Sequence, residues 1–91
     1  MQYYMIEWEH EEADAPYKVF LELDNQGTIS RKIDSYRVGV LESYEDLDTP
    51  PVDPREIAGS EGNVTSINRY QFDDMWEQSR EMPDGFMGLF F

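Results

Sequence analysis

The sequence predicts an α+β domain: an antiparallel four-to-five-stranded sheet with one C-terminal helix packed on a face, plus a short helix near residues 54–58. Three observations lead there. Tyr17, Val19, Leu21 and Leu23 alternate with Lys18, Phe20 and Glu22, the period of two that a pleated strand requires. Asp24-Asn25-Gln26-Gly27 follows as a turn, and an apolar pattern resumes at once, so the two runs read as a hairpin. Near the C-terminus Phe72, Met75, Trp76 and Ser79 fall at i, i+3, i+4 and i+7, the stripe of an amphipathic helix.

Taken in order, residues 2–9 form the first strand, with Tyr4, Ile6 and Trp8 on one face and Tyr3, Met5 and Glu7 on the other. His10 to Ala15 is a polar loop, and residues 16–24 form the second strand, with Pro16 tolerated only at its start. Residues 28–36 form the third, with Ile29 and Ile33 inward, and residues 37–43 a short fourth strand in which Gly39 marks a bulge or close packing. A connector spans 44–63. Its Thr49-Pro50-Pro51-Val52-Asp53-Pro54 cannot continue a central strand, because three prolines lack the ladder donor. Within it Asp53 is placed as an N-cap, Pro54 as the first helical residue and Glu56 as the other half of a capping box, with Gly59 ending the turn. Val64 to Ile67 reads as a short edge strand.

The helix over 69–81 has the fullest local signature. Asn68 caps it, Gln71 reaches back, and Ile67 and Phe72 form a staple; Tyr70 joins the aromatic series, and Pro83 and Gly85 stop the helix. The apolar tail 85–91 is too short to span a bilayer and is expected to close the core, the alternative being an exposed patch for self-association or partner docking.

Ninety-one residues make a single domain, 1–91, with no cysteine, which suits a reducing cytoplasm; the start has neither a signal peptide nor a membrane span. Twenty acidic against seven basic residues leave a net charge of −13, which disfavours direct nucleic-acid binding and points to a basic protein partner. The charge is segregated. Residues 1–15 hold five acids and no base, residues 16–40 three acids and four bases, and residues 41–56 six acids and one base. The two densest runs are Glu7 to Asp14 and Glu42 to Asp48.

No catalytic constellation emerges. His10 stands among carboxylates, but no second His or Cys completes a metal set, and it reads as an exposed histidine with no metal or cofactor. No Ser or Thr is tied to it by a nucleophile motif, there is no glycine-rich phosphate loop, and carboxylate pairs are findable anywhere in so acidic a chain. Binding, not catalysis, is the expectation.

Tyr4, Glu7-Trp8-Glu9-His10, Asp14-Ala15-Pro16, Glu22-Leu23-Asp24, Arg31-Lys32, Tyr36-Arg37 and Gly39, with Phe72 and Trp76 later, resemble a group of small bacterial domains that often lie beside polymorphic toxins. The resemblance covers about the first 40 residues and the last helix, and implies an immunity-type role. The expected function is therefore an acidic inhibitor that covers a basic active site or groove on a toxin such as a nuclease, acting as a monomer or weak homodimer away from membranes. The expected contact residues are Glu9, Glu11, Glu12, Asp14, Glu45, Asp46 and Asp48, with Tyr44 as an aromatic anchor. The alternative is a phage or mobile-element inhibitor that mimics nucleic acid and blocks a host defence protein.

Overall fold

A computed structural model describes residues 1–45 and 47–81 of the chain. Five strands, β1 (Gln2–Glu7), β2 (Lys18–Leu23), β3 (Ile29–Ser35), β4 (Leu41–Glu45) and β5 (Asn63–Ile67), are joined by two helices, α1 (Pro54–Ala58) and α2 (Arg69–Glu81). All ladders are antiparallel and the sheet order is β4-β3-β2-β1-β5, which is the predicted α+β class. The first four strands are a meander, and the last crosses back to pair with the first. The expected tail at 85–91 lies outside the described residues.

The alternation in β1 and β2 divides two cores, one on each side of the sheet. Ile6, Val19, Leu21 and Leu23 face one way with Tyr4 and Trp8, while Phe20 faces the other way with Tyr3 and Met5. On the second face lies α2, whose Phe72 is fully buried against Phe20 and Ile33, with Met75 and Trp76 beside it. The helix begins as the sequence predicts: Asn68 Oδ1 accepts from the Gln71 N–H at 2.8 Å, and Gln71 Oε1 accepts from the Asn68 N–H at 2.9 Å. Tyr70 does not join the core stripe; it is 82% exposed, because two residues before Phe72 the helix has turned its side chain to solvent.

The first face is covered by the connector. Leu47 and Val52 pack against it, the Val52 N–H donates to the Gly27 carbonyl at 3.0 Å, and α1 adds buried Ala58. Asp53 caps α1 by accepting from the Arg55 N–H at 3.0 Å, and Pro54 opens it. The proline-rich segment thus closes a face that a single-helix layout leaves open. Trp8 fastens it: its Nε1–H donates to the Ala58 carbonyl at 2.8 Å, which also accepts from the Gly62 N–H at 3.1 Å.

Two expectations change. The fourth strand begins at Leu41, not 37, because residues 36–40 form the turn from β3: the Gly39 N–H donates to the Tyr36 carbonyl, and the Tyr36 N–H to the Val40 carbonyl. Gly39 holds φ at +90° there with open space around it, so it is a turn residue rather than a bulge, and Val38 is 63% exposed. Ile29 and Ile33 are both buried but on opposite faces. In β3 the register passes from Glu22 opposite Arg31 to Leu23 opposite Ile29, so Ser30 is an extra residue and the face of the strand inverts.

The sheet and α2 are joined through one buried carboxylate. Glu22, 5% exposed, receives two hydrogen bonds from Arg31, at 2.8 Å from Nε and 2.6 Å from Nη2, and the same Nη2 reaches Asp73 of α2 at 2.9 Å. The Arg31 guanidinium also lies 4.8 Å from the Phe72 ring centroid and 5.0 Å from that of Trp76. Arg31 holds the Glu22 carboxyl below the usual carboxylate range despite its burial.

Candidate protein-binding site

The loop from β1 to β2 carries the first acidic run and is built on its own backbone. The Trp8 N–H donates to the Tyr17 carbonyl at 2.9 Å, closing the base of the loop, and the Tyr17 N–H donates to the Ser35 carbonyl of β3. His10 staples the interior. Its Nδ1 accepts from the Glu12 N–H at 3.1 Å, so the ring proton sits on Nε2, which donates to the Pro16 carbonyl at 2.9 Å. The ring is half-buried and spent at both nitrogens, which corrects the reading of an exposed histidine.

The turn between β3 and β4 reaches the same place. Arg37 donates from Nε to the His10 carbonyl, and its guanidinium lies 4.8 Å from the centre of the Tyr17 ring. Between loop and turn opens a cleft of about 470 Å³, lined by Glu7, Trp8, Glu9, His10, Glu11, Tyr17 and Arg37. Glu7 is drawn to Lys18 at 3.8 Å. By contrast Glu9, Glu11, Glu12 and Asp14 are exposed and form no ion pair among the described residues, so their charge faces solvent uncompensated.

Only the start of the second acidic run comes near them: Glu42 lines a small pocket together with Ala13 of the first loop, and Glu45 lies away from it. Leu41 of β4 lies in the row of Ser35 and Lys18, beside the first loop, whereas Glu45 lies in the row of Arg31, Glu22 and Tyr3 at the other end of the sheet. Four residues of strand, about 13 Å, separate those rows before the loops are counted. Glu45 pairs with Arg80 of α2 at 3.4 Å. Tyr44 is occupied as well: its hydroxyl donates to Glu42 Oε2 at 2.5 Å, Lys32 Nζ lies 5.0 Å from its ring centroid, and the hydrogen bond to Glu42, with burial, pushes its pKa well above the phenol range. Asp48 is exposed in the connector, and Asp46 lies outside the described residues.

Among the described residues no group of three or more His, Asp or Glu side chains is arranged to hold a metal ion, and no helix is long and apolar enough to cross a membrane. Glu7, Trp8, Tyr17 and Arg37 line the cleft without being among the expected contact residues; Arg37 is marked in the sequence by the Tyr36-Arg37 pair and by the basic residues gathered between 16 and 40.

A five-stranded antiparallel sheet with α2 on one face and an acidic loop at one end defines a small α+β domain that presents a charged, concave rim. Residues 2–81 match the family described as a domain of unknown function, DUF6881, and the chain belongs to it. No curated protein and no solved structure matches the chain.

Proposed function

We propose that the protein is an acidic, cytoplasmic protein-binding inhibitor of the immunity type, which neutralises a toxin by covering a basic active site or groove. The single observation that carries this reading is the unpaired charge of Glu9, Glu11, Glu12 and Asp14 on one loop, of which Glu9 and Glu11 line a cleft together with Trp8 and Tyr17. Carboxylates so placed steer a basic partner into encounter, and a few desolvated contacts within the cleft would hold it. The loop is anchored to the sheet at Trp8 and Tyr17, so little order has to be gained on binding. The role assigned is binding and not catalysis. Tyr44, Glu45 and Asp48 would meet only a partner broad enough to span the sheet. The nucleic-acid-mimic alternative calls for two rows of carboxylates at phosphate spacing, and Glu45, at the far end of the sheet from the first loop and paired with Arg80, does not extend such a row.

The test pairs capture of the partner from the host with stopped-flow association at low and high salt. Reversing Glu9, Glu11, Glu12 and Asp14 together to Lys is expected to slow association with a basic partner by about tenfold or more at low salt, with the thermal midpoint held. A partner that is not basic, or an association rate that does not move, would sink the proposal.

A further inference from the structure

The outermost ladder of the sheet contains an arrangement that folding alone does not favour. Asp34 of β3 and Glu42 of β4 stand directly opposite one another in register, so two carboxylates share one face of a cross-strand pair. Asp34 is only 7% exposed, and its Oδ1 has no hydrogen bond; its cation is Lys32, two residues away on the same strand, with Nζ at 3.5 Å. Glu42 is exposed, and its Oε2 accepts from Tyr44 at 2.5 Å and from Tyr36 at 3.5 Å. The groups facing Asp34 are thus Lys32 and Tyr36 from β3 and Glu42 and Tyr44 from β4. From β2 the residue opposite is Val19, and α2 packs on the other face.

A buried carboxylate with one long ion pair and a like charge across the ladder favours its neutral form. Burial is the first cause raising its pKa above 3.8, and Glu42 adds to it against the opposing pull of Lys32. We infer that Asp34 makes the β3–β4 ladder proton-sensitive: ionised, it loosens the edge strand, and protonated, it lets the strand close. The sign follows from linkage. The folded state binds this proton more tightly than the unfolded chain does, so the ladder is firmest below the ordinary Asp range and weakens as pH rises through Asp34's elevated pKa. Each unit of elevation is worth about tenfold in the opening equilibrium. β4 is the last strand of the described sheet, and opening one terminal strand is expected to cost less than global unfolding.

The experiment combines two measurements on the whole chain. Carbon-13 NMR reads the Asp34 carboxyl through a pH titration, and amide exchange of Leu41 to Glu45, expressed as protection factors, is followed over the same range in the wild type and in Asp34→Asn. The expected result is an Asp34 titration above the usual Asp range. It is accompanied by β4 protection that falls with rising pH, relative to β1 and β2, in the wild type, and that stays high in D34N. An Asp34 carboxyl that titrates within or below the ordinary range overturns the inference, with or without a folded variant. So does a D34N protein whose β4 protection follows the wild-type pH dependence, or a pH effect spread evenly over all five strands.

Discussion

Replacing Arg31 by Met tests the largest energetic claim made for this fold. The substitution keeps a long apolar stem over Phe72 and Trp76 but removes both hydrogen bonds to Glu22 and the bridge to Asp73. Glu22 is then a carboxylate, 5% exposed, with no cation. Leaving one partner of a buried pair uncompensated costs about 3–5 kcal/mol. The Arg31 side chain is 23% exposed, so water relieves part of this, and a loss of about 2–4 kcal/mol is expected. For a small domain that is a large fraction of a total of about 5–15 kcal/mol.

The pH dependence carries a sign of its own. With Arg31 present the Glu22 pKa is depressed, so the pair's contribution is complete above the ordinary Glu value and is lost as pH falls through the depressed one. R31M should therefore be most damaging at neutral pH and least damaging in acid, where the unpaired, buried Glu22 of the variant takes up a proton. Urea unfolding followed by the fluorescence of Trp8 and Trp76 at pH 7 and near pH 4 measures this. The double variant Arg31→Met with Glu22→Leu should recover most of the loss at pH 7, because no buried charge remains at this joint. A single-variant loss under about 1 kcal/mol, or a double variant no more stable than the single, would refute the reasoning.

Two further substitutions probe the other joints. Gly62→Ala places a Cβ 2.6 Å from the Ala58 carbonyl and 2.7 Å from Trp8 Nε1, so the Trp8 bond to α1 must shift; a loss of about 1–3 kcal/mol is expected in chemical denaturation, with a changed Trp8 emission. Asn68→Ala removes the acceptor for the Gln71 N–H and should cost about 1 kcal/mol, seen as a drop of roughly 4–8 °C in the calorimetric midpoint.

Much of this fold is legible in local order. Alternation in 17–23 names β2 and sorts its faces, since a strand's side chains have a period of two whatever it pairs with. Asn68 and Gln71 announce α2 because a cap is a bond between neighbours in sequence. Where a residue's role depends on a bulge or a turn, the reading shifts. Ser30 inverts β3 and sends Ile29 to the connector face, and Gly39 takes into a turn the residues that alternation assigns to a strand. The candidate site divides in the same way. Composition exposes two acidic runs, and the first one's shape follows from His10, which bonds the Pro16 carbonyl six residues on, and from Arg37, which reaches the His10 carbonyl from the turn of another hairpin.

By itself the sequence determined the charge, its segregation, the strand and helix periods and the caps, all of which depend on neighbours a few residues apart. The tertiary structure alone decided that Glu42 lies beside the first acidic loop while Glu45 lies at the far end of the sheet, that the proline-rich connector covers a face, and that Asp34 meets Glu42. Those facts are set by ladder register and by where the chain crosses the sheet. Both bring together groups whose separation along the chain carries no record of their contact.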